Sequence, residues 1–148
     1  PENYPTVVNG MFDVVDFGTA YRSRIKGIPY CGKTGTAQNP HGEDHSVFMA
    51  FAPKDNPKIA IAVYVENAGF GDKWAAPIAS LMIEKYLADT ITRPEIETNM
   101  MKKNFIKYNE ALASVLLKRE GLDSTAANVK LVLRQYFKER MSKVRKKH

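Results

Sequence analysis

Tyr30-Cys31-Gly32-Lys33-Thr34-Gly35-Thr36-Ala37-Gln38, then Val47-Phe48-Met49-Ala50-Phe51-Ala52, then Lys58-Ile59-Ala60-Ile61-Ala62-Val63-Tyr64-Val65-Glu66, decide the fold of this chain. Each is a short run of β character, and turn chemistry separates them. Asn39-Pro40-His41-Gly42-Glu43-Asp44 lies between the first two runs; Pro53 and Asp55-Asn56-Pro57 lie between the second and third. Gly, Pro, Asn and Asp favour turns because they accept positive or fixed φ, or bond their own backbone. Three consecutive strands with short connections form an antiparallel meander. The near-continuous apolarity of Ile59 to Val65 predicts cover on both of its faces, with helices as the covering elements.

Helical spacing flanks the meander on both sides. Val7, Val8, Met11, Phe12, Val14, Val15 and Phe17 predict a short buried helix over Val7 to Ala20, interrupted by Gly18. Gly27-Ile28-Pro29 then breaks the chain before the first strand. After the glycine-rich Ala68-Gly69-Phe70-Gly71-Asp72, residues Trp74 to Ala88 place Ile78, Leu81, Met82, Lys85 and Tyr86 at helical spacing. Pro77 is compatible with that helix only near its first turn. Beyond Thr92-Arg93-Pro94, two amphipathic segments, Asn99 to Glu120 and Ser124 to Lys147, predict a helical hairpin. Phe105, Leu112, Val115 and Leu116 mark the first; Val132, Leu133, Tyr136, Phe137, Met141 and Val144 mark the second. Gly121 is the expected helix stop and Asp123 the expected cap of the next helix. The fold class expected is therefore α+β, an antiparallel three-strand sheet packed by helices, followed by a helical hairpin.

Charge divides the chain in the same place. The net charge of +6 resolves into −1 over residues 1–94 and +7 over residues 95–148. Two differently employed regions are expected, a compact domain over 1–94 and a basic helical extension over 95–148. There is no apolar run long enough for a membrane span, and the first nine residues do not have the form of a signal peptide. The opening Pro1-Glu2-Asn3-Tyr4-Pro5, with no initiator Met, suggests a fragment of a longer protein. Cys31 is the single cysteine, which excludes an intrachain disulfide and a four-thiolate zinc site.

Lys33-Thr34-Gly35-Thr36 is the sharpest chemical feature. On a strand, Lys33 and Gly35 share one face while Thr34 and Thr36 share the other. Around it stand Val14-Val15 with Gly18-Thr19-Ala20, the full Gly32-Lys33-Thr34-Gly35-Thr36-Ala37-Gln38, Asp44-His45 ahead of Phe48-Met49-Ala50-Phe51-Ala52-Pro53, Pro57 to Val63, Val65-Glu66-Asn67, and Ala75-Ala76-Pro77-Ile78. In order and spacing these resemble the class B penicillin-binding proteins, most nearly the elongation type, over roughly residues 7 to 90. The resemblance implies part of the penicilloyl-serine transferase fold, in which a K-T-G strand walls the active site. It implies a peptidoglycan D,D-transpeptidase that cross-links stem peptides through a serine acyl-enzyme, is a target of β-lactams, and works at the periplasmic side of the bacterial inner membrane beside other wall-elongation proteins.

By that resemblance Lys33 and Thr36 are the expected catalytic residues, and Thr34, Gly35, Thr36 and Gln38 the expected substrate contacts. Lys33 would add positive potential where protons move, and Gly35 would keep its face open. The threonine hydroxyls suit a carboxylate, and the Thr36 N–H on an unpaired edge suits an oxyanion. No cofactor and no metal is implied. The family also needs a Ser-x-x-Lys opening a buried helix and a Ser-x-Asn loop. Ser-x-Asn is absent, and Ser23-Arg24-Ile25-Lys26 runs directly into Gly27 and Pro29, where no long helix can follow. The chain by itself is expected to be inactive, and any membrane contact is expected through an anchor outside it.

Other readings compete for particular residues. His41, Glu43, Asp44 and His45 crowd one turn in a metal-capable set that is read as solvated loop. Trp74 and Tyr30 stand near glycine-rich turns and are read as core. The basic hairpin admits an alternative function, a nucleic-acid or partner-binding module on a non-catalytic domain. Its aromatics, Phe105, Tyr108, Tyr136 and Phe137, fall on apolar stripes, which favours packing over base stacking and so no nucleic-acid partner. An apolar sheet face left open in the chain alone would invite self-association.

Overall fold

The computed structural model describes residues 2–40, 42–103 and 110–145, and their side chains except those of 110–112 and 137–145. The first helix, α1 (Tyr4–Asp16), leads through a 3₁₀ turn (Tyr21–Ser23) to three strands, β1 (Cys31–Ala37), β2 (His45–Ala52) and β3 (Ile59–Val65). Four helices follow: α2 (Ala75–Ala88), α3 (Pro94–Lys102), α4 (Glu110–Glu120) and α5 (Ala126–Arg145). The chain divides into two compact units, the first comprising residues 1–39 and 44–103 and the second built on α4 and α5. Helix α3 groups with the first unit.

The sheet has the expected meander order β1-β2-β3, antiparallel throughout. Its register pairs Lys33 with Met49, Gly35 with Val47 and Thr36 with Ser46, then Phe48 with Val63 and Ala50 with Ile61. Paired residues share a face. One face therefore carries Thr34, Thr36, Ser46, Phe48, Ala50, Ile61 and Val63, and the other Lys33, Gly35, Val47, Met49, Ala62 and Tyr64. The first face holds the core: Phe48, Ala50 and Ala52 pack with Ala75, Ala76, Ala79 and Ile83 of α2 and with Ile59, Ile61, Val63 and Val65. Gly32 makes room for this packing, because a Cβ there would fall 2.3 Å from the Phe48 ring.

Three expectations need correction. In β3 exposure alternates, so only one face is covered; Ala60, Ala62 and Tyr64 are exposed. Small alanines on the outward positions made a one-sided strand read as a two-sided one. The first helix begins three residues earlier than expected, at a proline in its first turn, and only Val15 on it is buried. Val7 and Phe17 point to solvent. In α2 the buried face consists of Ala75, Ala76, Pro77, Ala79, Ser80, Leu81, Ile83 and Glu84, whereas Met82 and Tyr86 are exposed. The close approach of α2 to the sheet is made by its alanines together with Ile83, and this phase turns Met82 and Tyr86 outward.

The buried Glu84 is explained by its partners. Arg93 meets its carboxylate through Nε and Nη2 at 3.0 and 2.9 Å, and Thr92 donates to it from both backbone and side chain. Arg93 also donates to Ser80 Oγ and to the carbonyls of Ser23 and Arg24. Desolvation raises the carboxyl pKa, but the hydrogen bonds from Thr92 and Arg93 outweigh it and hold Glu84 below the usual carboxylate range. The stretch Thr92-Arg93 thus clamps α2 to the segment after α1.

In the second unit Ala113, Leu116 and Leu117 of α4 pack with Val132 and Leu133 of α5. Val115, expected on the apolar stripe, is exposed. Gly121 ends α4 at φ +66°, with Gly121 N–H reaching Lys118 O and Leu122 N–H reaching Leu117 O at 3.0 Å, the pattern of a Schellman stop. The cap of α5 is Thr125, whose hydroxyl accepts from Asn128 N–H. Asp123, expected in that role, instead accepts from Thr125 N–H and Asn128 Nδ2, and these bonds lower its pKa. Phe105 and Tyr108 lie outside the described residues, as do the side chains of Leu112, Phe137, Met141 and Val144.

Candidate functional site

The strand order leaves β1 at an edge of the sheet. An edge strand turns every second backbone N–H and C=O away from its neighbour. Lys33 is exposed on the face opposite Phe48, and its ammonium donates to Thr34 O at 2.8 Å. Thr34 is half-buried on the other face, its hydroxyl 3.0 Å from that of Thr19. Thr36 is exposed, and Gln38 is exposed just past the end of the strand.

A cleft of about 320 Å³ opens beside this edge. Thr19, Thr34, Gly35 and Thr36 form one side, and the loop Phe70, Gly71 and Asp72 forms the other. The structure brings Thr34, Gly35 and Thr36 together there. Lys33 and Gln38 do not line it.

The loop is fixed by Ser46, which is fully buried and stands opposite Thr36 in the register. Its hydroxyl donates to Phe70 O at 3.0 Å and accepts from Ala75 N–H at 3.1 Å. It therefore binds the loop to β2 and satisfies a donor at the start of α2 that Trp74 does not cap. Gly71 O accepts from Ala76 N–H, and the Gly71 backbone lies so close to the sheet that a Cβ would fall 2.3 Å from Val47 O. Glycine is required there. At Gly35, by contrast, a Cβ would meet only Val47, at 3.4 Å. No described residue crowds that position.

Loops at one end of the sheet are joined by a second set of bonds. Asp44 accepts from Asn39 N–H through its carboxylate and from Gly69 N–H through its carbonyl. His45 Nδ1 accepts from Asn67 N–H at 2.9 Å, and Asn39 Nδ2 donates to Asn67 Oδ1 at 2.6 Å. Of the metal-capable set, the Asp44 carboxylate and His45 Nδ1 are thus engaged by backbone N–H groups. Among the described residues no three His, Cys, Asp or Glu side chains are grouped to hold a metal; His41 lies outside them.

Ser23 is 1% exposed in the 3₁₀ turn, and its hydroxyl has no partner. A nucleophile must reach substrate, so this geometry removes the local Ser-x-x-Lys from consideration. Tyr30 is buried, donates to Ser23 O at 2.9 Å, and has its pKa pushed up by burial. Cys31 is fully buried in the β1 backbone's shadow, Sγ toward Val8 O, and burial pushes its thiol up as well. Both serve the core. Thr19, Ser46, Phe70, Gly71 and Asp72 were not among the expected site residues. Only the glycine pair flanking Phe70 hinted at them, and it read as a plain turn. Among the described residues no helix is long and apolar enough to cross a membrane.

Comparison with known proteins agrees with this architecture. Residues 1–84 match the family described as the penicillin binding protein transpeptidase domain. The peptidoglycan D,D-transpeptidase MrdA of Haemophilus influenzae is 37% identical over 107 residues, covering 60% of this chain and 16% of the relative. The peptidoglycan D,D-transpeptidase PbpA of Mycobacterium tuberculosis is 40% identical over 77 residues, covering 45% and 15%. The chain thus spans less than a fifth of the length of these relatives. Among solved structures, Pseudomonas aeruginosa PBP2 in complex with WCK 5153 is 41% identical with a TM-score of 0.52, over 59% of this chain and 19% of that one. The ceftriaxone acyl-enzyme of M. tuberculosis penicillin-binding protein A is 33% identical with a TM-score of 0.50, over 55% and 20%. With its meander, its K-T-G edge strand and a match over more than half its length, the chain belongs to the penicillin-binding protein transpeptidase family.

Proposed function

We propose that the protein carrying this chain is a serine-type peptidoglycan D,D-transpeptidase and that β1 is the wall of its active site. A serine outside this chain attacks the carbonyl of the penultimate D-alanine of a stem peptide. The terminal D-alanine leaves with the proton on its amine, and an ester remains on the serine. An amine of a second stem peptide then attacks that ester, forming the cross-link and returning the proton to the serine oxygen. β-Lactams acylate the same serine by ring opening.

The observation that carries this reading is the K-T-G strand standing at the outer edge of the sheet beside a cleft. Lys33 Nζ donates to the exposed Thr34 carbonyl, which supports an outward orientation for Thr34. Residues two apart on a strand share an orientation, so the Thr36 N–H belongs on the same outer side, where an oxyanion would sit. In this reading Lys33 and Thr36 are the catalytic contributions of the chain, and Thr34, Gly35, Thr36 and Gln38 bind substrate. Lys33 faces away from the cleft of this chain, toward the side on which the reading sets the serine. The open position at Gly35, uncrowded within the chain, is then kept clear for substrate.

The domain over residues 1–94 is the C-terminal part of the transpeptidase domain, and the basic extension over 95–148 serves contacts with wall-elongation partners. The enzyme works at the periplasmic face of the inner membrane. Lys33→Ala in the full-length protein tests the assignment. Labelled penicillin should acylate the variant at least about 100-fold more slowly than the wild type, the scale of a lost acid–base or electrostatic group. Equal rates would refute it.

A further inference from the structure

The cleft beside β1 carries hydroxyls on one wall and a single formal charge on the other. That charge is Asp72. Its carboxylate makes no hydrogen bond and no ion pair among the described residues, although it is partly buried. Two cations lie near. Arg22 is held by Tyr21, donating to its hydroxyl at 3.0 Å and stacking on its ring, and Asp72 is the weakest of the influences on it. Lys73 lies over the Phe70 ring, 5.3 Å from its centroid. Neither Arg22 nor Lys73 lines the cleft.

The position of this carboxylate is not accidental to the loop. Gly71 is pressed on the ladder at Gly35 and Val47, and Ser46 holds Phe70 O. Asp72 is therefore fixed within two residues of two anchors, on the wall facing Thr34 and Thr36. A carboxylate held without a partner across a narrow cleft is a binding element for a cation.

We infer that Asp72 selects ligands bearing a protonated amine, binding that amine while the backbone edge and threonines of β1 take the acyl portion. The chemical class is an acyl-peptide or acylamino compound with a free ammonium group, such as the unlinked amine of a diamino residue in a stem peptide. This inference rests on the transpeptidase reading of the same cleft.

The test uses ampicillin and benzylpenicillin, which differ by one amino group on the acyl side chain, against the full-length protein. The readout is the ratio of their second-order acylation rates. A surface charge pair in contact is worth up to about 5-fold in an equilibrium, and a partly buried one lies at the upper end of that range, so Asp72→Asn should shift the ratio against ampicillin by about 3- to 5-fold. Asp72→Glu should retain most of the wild-type ratio. Raising salt should lower the wild-type ratio and leave that of Asp72→Asn flat, because screening acts only where the charge remains. A purely structural role for Asp72 would slow both compounds alike, and a ratio within about twofold of wild type in Asp72→Asn overturns the inference. Failure of both compounds to acylate the wild-type protein would instead overturn the transpeptidase reading, and the amine selectivity with it.

Discussion

The two faces of the three-stranded sheet are built on opposite terms. One face is sealed by α2: Phe48, Ala50 and Ala52 touch the alanines and Ile83 of the helix, and Ser46 and Gly71 lock the loop that leads into it. On the other, α1 covers Cys31 at one end, but Met49 and Tyr64 are each 55% exposed, and Ala60 and Ala62 are open beside them. Lys33 and Gly35 belong to this open face. The difference shows where the chain is self-sufficient and where it presents itself outward. The sealed face supplies rigidity, and the K-T-G edge borrows it.

That contrast can be broken most sharply at the centre of each face. Phe48→Ala removes a fully buried ring facing α2 and should lower stability by about 3–5 kcal/mol, whereas Met49→Ala, its neighbour on the open face, should change it by about 0.5 kcal/mol or less. Urea midpoints of the two variants in the 148-residue chain would check this. Comparable losses would mean that the open face is packed too.

Glu84→Gln should weaken the clamp on the sealed face by about 2–3 kcal/mol, since it removes one partner of a buried ion pair while leaving Arg93 its carbonyl acceptors. The sign with pH follows from the lowered carboxyl pKa. The charged pair stabilises fully above the ordinary value of 4.5, and that stability is lost as pH falls through the folded-state value. Glu84→Gln should accordingly lose the part of the acid destabilisation that begins below this point, measured by melting temperature across the acid range.

A smaller contrast separates two glycines. Gly71→Ala puts a Cβ into the ladder and should cost about 1–3 kcal/mol, the range for overpacking a site that cannot yield. Gly35→Ala meets only ordinary contact with Val47 and should cost little in thermal stability. If Gly35→Ala destabilises the chain as much as Gly71→Ala, the view that residue 35 is kept small for substrate loses its support.

The meander was legible because each strand is bounded by residues whose turn chemistry acts locally, such as Asn39-Pro40 and Asn56-Pro57. The K-T-G strand was legible for a different reason, a motif whose residue types suit an acyl-transfer site. The facing of α2 was not. Helical phase there is set by how closely Ala75, Ala76 and Ala79 let the helix approach, a tertiary effect that larger residues such as Met82 and Tyr86 obscure. The burial of Glu84 had no local mark either, because its partner, Arg93, lies beyond the end of the helix. Ser46 and Gly71 carry no local mark at all; their meaning comes from a contact between β2 and a loop 24 residues away. Thr19, likewise, gains a role only when Thr34 is brought beside it.

Thr36 gives the most direct test of the free edge. Proline at an edge position whose N–H points outward removes that donor without removing a ladder bond, and Thr36→Ala controls for the lost hydroxyl. In the full-length protein Thr36→Pro should acylate with labelled penicillin about 100- to 1,000-fold more slowly than Thr36→Ala, the loss expected for one oxyanion donor, with a similar melting temperature. Equal acylation by the two variants would contradict the account, because the outward amide of β1 would then have no part in the chemistry.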